Sequence, residues 1–312
     1  MDLRQLGYFV HVAELGSFTK AAAMLSVAQS ALSHQVRQLE VELKQALLYR
    51  NGRGVTPTDA GKRLLGHARG ILMQVDRARD ELAETRGAPV GNVVLGLPAS
   101  IARILTLPLL KAFRHSFPSA SLGIVEGLSA YIIEWLVAGR VDIGLVYNAA
   151  PGPAIEIHPL HEQEMFLISA KTKASSRAVS PVPARALPRY PLIIPSRPNA
   201  NRMRIETLLA DRGLTPRIAY EIDAIASILD LVHEGFGYAI LPLDSLRGHA
   251  RARQLVASPI VKPKLTIHMS LVVSSQRPAT ALTTAMLALT RKAALDVLLA
   301  KRRRIKSRRR EP

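Results

Sequence analysis

The chain of 312 residues contains no cysteine, which excludes disulfide bonds, thiol nucleophiles and thiolate metal sites. Histidines and carboxylates remain as metal ligands, but they show no ligand spacing, so we expect neither a metal nor a cofactor. No apolar run approaches the roughly 18 residues that a membrane span needs. The opening Met1-Asp2-Leu3-Arg4 lacks the basic and then apolar order of a signal peptide. We therefore expect a cytoplasmic protein with no membrane partner.

The sequence also lacks the motifs of several common enzyme classes. It has no GxSxG elbow, P-loop, GxGxxG or HExxH pattern. We therefore expect a protein that is not an enzyme. A binding protein, in which the N-terminal helices serve only to oligomerise a small-molecule-binding domain, remains as the alternative to the function developed below.

Acidic residues are scarce relative to basic ones. The chain has 42 Lys and Arg against 24 Asp and Glu, a net charge of +18, which favours a polyanionic partner. The segment 301–312 carries eight of the basic residues and one acid. This basic tail either grips phosphates without sequence preference or is a solvated, disordered block of like charges.

Three helices are predicted in the first 43 residues. Leu3, Leu6, Val10 and Ala13 form one buried stripe of a helix that ends near Gly16. Ser17 is placed to cap a short helix from Phe18 to Leu25, and Ser26-Val27 leaves room only for a tight turn before the next helix.

The third helix has a polar outer face. Leu32, Val36, Leu39 and Leu43 face the core, whereas Ser30, Ser33, His34 and Arg37 project outward and Gln29 lies at the N-terminal edge. Short hydroxyls, an imidazole and a guanidinium suit the major groove, although any packed helix has a polar solvent face. The order of a short helix, this helix and a wing favours DNA recognition.

A wing and a long helix follow. Leu47 to Pro57 predicts two brief strands around a glycine-bearing turn that offers Arg53 to the minor groove. From the N-cap Thr58 to Arg86 runs a helix whose single apolar stripe is better buried against a second copy, so we interpret it as a dimerisation helix. Gly87-Ala88-Pro89 ends it. The stripe consists of Ala60, Leu64, Ala68, Ile71, Val75, Ala78 and Leu82.

Beyond Gly91 strands and helices alternate, which predicts a parallel sheet. The polar stretch Thr172 to Pro188 is predicted to be a surface excursion. The predicted elements are Val93–Leu97, a helix from Ser100, Leu122–Glu126, a helix from Ser129, Val141–Tyr147, Met165–Ala170, Leu192–Pro195, a helix Met203–Arg212, Arg217–Ile222, a helix Ile225–Glu234, Tyr238–Leu241, Leu265–Ser274 and a helix Ala279–Leu299.

The runs FTKAAAMLSVAQSALSHQVRQLE and RGVTPTDAGK closely resemble the LysR-type transcriptional regulators. VVLGLP, DIGLVY, LIIPS and EGFGYAILP resemble the effector domain of that family. GVTPTDAGK, Pro195-Ser196 and EIDAIASILDLV are similar to its nitrogen assimilation control-like subgroup.

The resemblance implies an α/β fold with an N-terminal winged helix-turn-helix and a long linker helix, then a periplasmic-binding-protein-like effector domain of two lobes joined by two crossover strands. It also implies promoter DNA, an unknown small-molecule effector and a homodimer or homotetramer as partners. The implied division is 1–58 for DNA binding (helix-turn-helix about 18–37), 59–88 for the linker helix, 89–300 for the effector domain and 301–312 for the tail. Lobe 1 takes about 91–163 and 267–300, and lobe 2 takes about 164–266.

Candidate site residues follow from these readings. Ser100 and Ser129 begin helices, where exposed amides favour anions or where the hydroxyls are plain caps. Tyr147 lines the effector cleft that the resemblance implies between the two lobes, or it sits at the edge of the core. Trp135 is a packing residue. His158, His161 and His268 suggest a pH or metal switch, but three histidines separated in sequence are more often surface or hydrogen-bonding residues, so we expect no metal there. The candidate effector contacts are Ala99, Ser100, Leu128, Ser129, Tyr147, Pro195 and Ser196, and the candidate DNA contacts are Thr19, Gln29, Ser30, Ser33, His34, Arg37, Arg50 and Arg53.

Two positions depart from the family pattern. Ser30 stands where the family often has proline, which removes a favoured first-turn residue but should leave the helix intact. Lys44 stands where the family commonly has glycine, so we expect a different C-cap at that turn.

Overall fold

The computed structural model describes residues 1–51, 54–83, 90–171 and 180–308. It divides into two compact units, one comprising 1–91 with 137–140 and the other comprising the rest. No helix in these ranges is long and apolar enough to cross a membrane. The first unit contains α1 (Leu3–Leu15), α2 (Phe18–Leu25), α3 (Gln29–Leu43), β1 (Leu48–Asn51), β2 (Gly54–Pro57) and α4 (Asp59–Ala83).

Helix α1 has a capping box at its start and a glycine at its end. The carboxylate of Asp2 accepts a hydrogen bond from the backbone amide of Gln5, and the backbone amide of Asp2 donates one to Oε1 of Gln5. Gly16 ends the helix at φ +62°, as expected. The predicted stripe was wrong at Leu3, which is 43% exposed because the capping box places it in the first turn, away from the core. The buried residues of α1 are Gln5, Leu6, Phe9, Val10 and Val12.

Helices α2 and α3 follow the sequence prediction. Ser17 caps α2 by accepting from the amide of Lys20, and Leu32, Val36 and Leu39 of α3 are fully buried. The different C-cap expected at Lys44 was wrong. Lys44 adopts the left-handed conformation at φ +51°, and its amide donates to the carbonyls of α3, which offsets the strain of a side chain there.

Strands β1 and β2 form an antiparallel hairpin that leads into α4. Thr58 caps α4: its hydroxyl accepts from the amide of Gly61 at 3.0 Å and donates to the carbonyl of Ala46 at 2.7 Å. Arg53, the predicted helix end at Arg86 and the boundary Gly87-Ala88-Pro89 lie outside the described residues.

The apolar stripe of α4 has two different environments. Ala60, Leu64 and Ala68 pack into the core of their own unit, so the expectation that the whole stripe awaits a second copy was wrong there. Farther along, Ile71 is 39% exposed, Val75 is half-buried and Ala78 is exposed. The position of Leu82 falls where side chains are not described.

The second unit is an α/β domain built on a mixed eight-stranded sheet. Its elements are β3 (Gly91–Leu97), α5 (Ala99–Ser116), β4 (Ala120–Glu126), α6 (Ser129–Val137), β5 (Ile143–Tyr147), β6 (Ile155–Ala170), β7 (Val182–Pro183), β8 (Leu192–Ile194), α7 (Ala200–Ala210), β9 (Ile218–Glu221), α8 (Ile225–His233), β10 (Ala239–Pro242), β11 (Leu255–Val261), β12 (Thr266–Ser274) and α9 (Ala281–Arg308).

The strand order of the main sheet is β4-β3-β5-β12-β6-β11-β7, with β10 paired to β6 and a separate parallel pair β8-β9. Strands β3 and β5 are parallel as predicted. Strand β12 runs antiparallel to both β5 and β6, because a chain that returns between lobes reverses its direction.

Strand β6 connects the two lobes of this domain. Its residues 155–164 pair with β12, and its residues 165–170 pair with β10 and β11. Sixteen residues of strand span about 53 Å, which is long enough to belong to two lobes. The sequence prediction recognised only its second half and missed β11.

Two further expectations need correction. Val182, Ala184 and Leu187 are buried, so the second half of the predicted surface excursion is packed, while 172–179 lie outside the description. The last helix continues to Arg308 rather than stopping at Leu299, because basic residues are good helix formers.

Candidate DNA interface and effector cleft

The outer face of α3 is open to solvent. Gln29, Ser30, His34 and Arg37 are exposed, and Ser33 is half-buried. Ala28 occupies the N-cap position and supplies no side-chain hydrogen bond, so the first amides of α3 have no cap among the described residues. An uncapped, exposed helix start is suited to receive a phosphate oxygen.

Helix α2 is tied to the start of α3 by two of the predicted contact residues. The hydroxyl of Thr19 donates to Oε1 of Gln29 at 3.1 Å, and both side chains are exposed. This bond fixes the orientation of the Gln29 amide and leaves its NH₂ group as a donor.

The wing is joined to α3 through Arg50. Its Nη1 donates to Oγ of Ser33 at 3.3 Å, its Nη2 lies 3.7 Å from Oε2 of Glu40, and its guanidinium stacks 4.7 Å from the centre of the Phe18 ring. Arg50 therefore holds the wing to both helices. Sequence reasoning selected Arg50 as a DNA contact and missed this structural role.

Glu40 is the centre of this arrangement. Its Oε1 accepts from the backbone amides of Leu47 and Leu48 at 2.8 and 3.1 Å, which fixes the chain where it enters the wing. The sequence analysis missed Glu40, because a carboxylate at the end of an amphipathic helix carries no local sign of partners seven residues later.

Arg37 makes no hydrogen bond or ion pair with the described residues, and it lines a shallow depression of about 620 Å³. A free guanidinium in an open depression can form two parallel hydrogen bonds with a base edge or phosphate. The depression is lined by Gln5, His34, Arg37, Gln38, Val41 and Glu42.

A larger cleft of about 1060 Å³ lies in the second unit. Residues of β6 and β12 line it between the start of α6 and one face of α7. Ser129 and Tyr147, both predicted, are in its lining, and Arg204, His161 and His268 add polar groups. Its apolar lining includes Ala130, Ile133, Ile157, Leu160, Met203 and Met269.

Tyr147 contacts two other predicted site residues. Its backbone amide donates to Oγ of Ser129 at 3.0 Å, and its phenol oxygen lies 3.4 Å from Oγ of Ser100. Burial raises the pKa of the Tyr147 phenol well above its ordinary value, so the ring is neutral and acts as a hydrogen-bonding group. Ser100 contacts Tyr147 rather than the cleft itself.

The other predicted effector residues have local partners. The carbonyl of Pro195 accepts from Nη1 of Arg202 at 3.2 Å, and the amide of Ser196 donates to Asp223 at 2.8 Å. Pro195, Ser196, Ala99 and Leu128 are absent from the cleft lining. Lobe 2 instead contributes Pro198, Ala200, Met203, Arg204 and Thr207, which the sequence analysis missed. The turn after β8 brings α7 to the cleft, and no local pattern reveals that placement.

Two of the three predicted histidines line the same cleft. His161 and His268 line the cleft, and His158 lies 3.4 Å from the carboxylate of Glu156. Among the described residues no group of three potential ligands could hold a metal ion.

Comparison with known protein families decides the class of protein. Residues 3–62 match the family described as bacterial regulatory helix-turn-helix protein, lysR family, and residues 86–295 match the LysR substrate binding domain. The chain belongs to the LysR family.

This LysR protein is 35% identical over 272 residues to the nitrogen assimilation regulatory protein nac of Escherichia coli K12, which covers 87% of this chain and 88% of that protein. It is 33% identical to the protein of the same name from Klebsiella aerogenes, over 88% of this chain and 90% of that one. The structure resembles the solved LysR regulator CbnR in complex with its target DNA, with a TM-score of 0.68, 25% identity, and coverage of 94% of this chain and all of that one.

Membership of the LysR family establishes the general function of this chain. The LysR protein is a DNA-binding transcriptional regulator with an effector-binding domain, as the sequence predicted. The alternative, a binding protein whose N-terminal helices only oligomerise, was wrong, because those helices match the regulatory helix-turn-helix.

Proposed function

We propose that α3 reads the promoter in the major groove. Gln29, Ser30, Ser33, His34 and Arg37 form its reading face, with Thr19 orienting Gln29. The observation that carries this proposal is the open outer face of α3, with its uncapped N-terminus and the unpaired Arg37 among the described residues. An exposed polar helix face with a guanidinium of this kind pairs with base edges and phosphates.

Arg50 positions the wing in this proposal, and Arg53 is the wing residue assigned to the minor groove. The partners of Arg50, Phe18 and Ser33, support this division, because a guanidinium held on the protein orients the hairpin. The domain divisions stated above, with 1–58 for DNA binding and 89–300 for the effector, belong to the same proposal.

Genome-wide mapping of bound sites first identifies the protein's own promoter. An electrophoretic mobility-shift titration on that promoter then tests this assignment. We expect Arg37→Ala to weaken promoter binding by about 1–3 kcal/mol, roughly 5- to 150-fold. Arg63→Ala, an exposed arginine of α4, is the matched control and should bind normally. Equal affinity of Arg37→Ala and wild type would refute the proposal.

A second copy covers the exposed half of the α4 stripe. Ile71, Val75 and Ala78 lie on one face of the helix beyond the part packed in its own domain, and this exposed stripe is suited to a helix of the same kind. The protein is proposed to work as a homodimer and, through pairs of dimers, as a homotetramer. In sedimentation, Ile71→Asp should release monomers, while Asp76→Lys, which reverses a charge on the opposite face of α4, should not. A fully dimeric Ile71→Asp protein would contradict this interface.

The cleft is the proposed effector site, with Ser129 and Tyr147 in its wall. Ser100 acts through Tyr147, and Ala99, Leu128, Pro195 and Ser196 are proposed to shape its rim. The effector changes DNA binding only if it binds two arrangements of the oligomer with different affinity. The protein is proposed to act in the cytoplasm, where promoter DNA is accessible, and to have no catalytic activity of its own.

A thermal-shift screen with a panel of small carboxylic acids and amino acids tests the cleft. A ligand at one hundred times its Kd should stabilise the wild type by about 2.7 kcal/mol. Met203→Trp, which fills the cleft, should abolish the shift, and Leu243→Trp, at an exposed position outside the cleft lining, should keep it. A shift that survives Met203→Trp would place the site elsewhere.

A further inference from the structure

The last helix changes character at Leu298. Up to that point one residue in every four is buried, at Leu282, Met286, Thr290, Ala294 and Leu298, and these residues hold α9 to its domain. The guanidinium of Arg247 donates to the carbonyls of Val297 and Leu298 at 2.7 and 3.5 Å, which adds a last anchor at the same place.

Helix α9 continues for ten residues beyond Leu298. In these ten residues the apolar stripe formed by Leu282, Met286, Thr290, Ala294 and Leu298 is not continued. The next positions in the spacing of four are Arg302 and Lys306. Burying unpaired cations in an apolar core costs far more than burying the residues before them. The sequence of residues 301–308 therefore does not continue the apolar stripe of α9.

The charge of this segment matches a duplex. From Leu299 to Arg308 the helix rises about 14 Å, and duplex DNA carries about eight phosphate charges over that length. Residues 301–308 hold six basic residues and no acid. The match to the LysR substrate binding domain ends at residue 295, before this segment begins.

We propose that the basic end of α9, residues 301–308, is a second, sequence-independent contact with duplex DNA beside the promoter site. Its cations neutralise phosphates and release counterions, which adds affinity for any duplex but no preference among sequences. Duplex DNA is the favoured partner because the regulator already brings a duplex to the protein. This contact depends on the family assignment and not on which residues of α3 read the bases.

The test measures the binding constant of the full chain for duplexes at several salt concentrations. In the neutral variant, Arg302, Arg303, Arg304 and Arg308 are each replaced by glutamine, which preserves helix propensity. The magnitude of its slope of log K against log salt should fall by about 2–3.6 units, at ~0.9 per phosphate. Between about 50 and 200 mM salt this corresponds to an affinity loss that is about 15- to 150-fold smaller than in the wild type. The ratio of promoter to scrambled-duplex affinity should stay unchanged.

Two controls separate contact from general charge. Replacing the same four arginines by lysine keeps the charge and should keep the slope. Replacing four exposed cations elsewhere in the domain, Lys111, Arg114, Arg185 and Arg189, by glutamine removes the same net charge and should change the slope by less than one unit.

An unchanged slope in the neutral variant overturns the proposal, and so does an equal fall in the second control. Binding of wild type to phosphatidylserine vesicles or single-stranded RNA, lost in the neutral variant while the duplex slope stays the same, would assign the segment to a different partner and also overturn it. A failure of Arg37→Ala to affect promoter binding would leave this result standing, so the two proposals fail separately.

Discussion

The guanidinium of Arg50 lies 4.7 Å from the centre of the Phe18 ring, so a side chain of β1, the first strand of the wing, stacks on the first residue of α2. The same group reaches Ser33 of α3. One side chain thus joins the wing to both helices of the helix-turn-helix, and the orientation of the hairpin depends on it.

Arg50→Ala should destabilise the N-terminal domain by about 1 kcal/mol, because an exposed cation–π contact contributes ~0.5–1 kcal/mol and a hydrogen bond is lost with it. Chemical denaturation followed by circular dichroism measures the change. Arg63→Ala, exposed on α4, should stay within about 0.5 kcal/mol of wild type. If both variants unfold alike, Arg50 has no role in holding the wing.

Gly61 of α4 lies against the backbone of Leu47 at the start of the wing. A methyl group at Gly61 would overlap the carbonyl of Leu47, whereas at Gly66 of the same helix it would meet nothing within 4 Å. Gly61→Ala should therefore lower the free energy of unfolding by about 1–3 kcal/mol or more, because the backbone must move to make room for the methyl group. Gly66→Ala should add about 0.5–1 kcal/mol, since alanine is the better helix former. Thermal unfolding of the two variants should shift in opposite directions, and a shared direction would disprove the close approach.

Tyr147 should make stability fall at alkaline pH. Because burial raises its pKa in the folded protein, its phenol ionises in the unfolded chain first, near pH 10. Below that pH the ionisation of Tyr147 takes nothing from the free energy of unfolding. Above it, this one group lowers the free energy of unfolding by about 1.4 kcal/mol per pH unit. Urea unfolding between about pH 9 and 11 should show a shallower decline for Tyr147→Phe than for wild type. Tyr131→Phe, which removes an exposed phenol, should keep the steeper decline.

Arg202 is buried at the edge of lobe 2, with Nε 2.9 Å from Glu206 and Nη1 2.9 Å from Glu221. It also donates to the carbonyl of Pro195. Arg202→Ala should lower the free energy of unfolding by ~2 kcal/mol or more, because the buried carbonyl of Pro195 loses its donor and Oε1 of Glu206 loses its ion pair, which leaves Glu206 only the exposed Arg197 on Oε2. Calorimetry should detect a lower Tm. Lys264→Ala, which breaks an exposed pair with Glu164, should leave the Tm unchanged, and a Tm drop of equal size would contradict the assignment.

Local patterns were sufficient to predict the helix-turn-helix. The stripe of α3, the caps at Ser17 and Thr58 and the turn at Gly16 each depend on residues within one helical turn, and the structure confirms them. The error at Leu3 has the same origin, because spacing alone does not reveal that the capping box starts at Asp2.

Non-local geometry accounts for what the sequence could not predict. Strand β6 changes partners halfway, so no single pattern of burial runs along its length, and its first half was missed. The contribution of α7 to the cleft depends on a turn that carries the chain past Pro195 and Ser196. Glu40 and Gly61 both contact the backbone of Leu47, which lies seven and 14 residues away from them along the chain, beyond the reach of a pattern within one helical turn.

The central claim is that Arg37 and its neighbours on α3 read base pairs. The most direct measurement is the affinity of wild type and Arg37→Ala for a set of promoter duplexes in which each base pair is substituted in turn. Each substitution of a contacted base pair should weaken binding of the wild type by about 1–3 kcal/mol. In Arg37→Ala this penalty should disappear at one position in each half-site and stay the same at the others. A profile for Arg37→Ala that is uniformly weaker but unchanged in shape would show that Arg37 contacts only phosphate, and an identical profile would contradict the assignment of α3 as the reading helix.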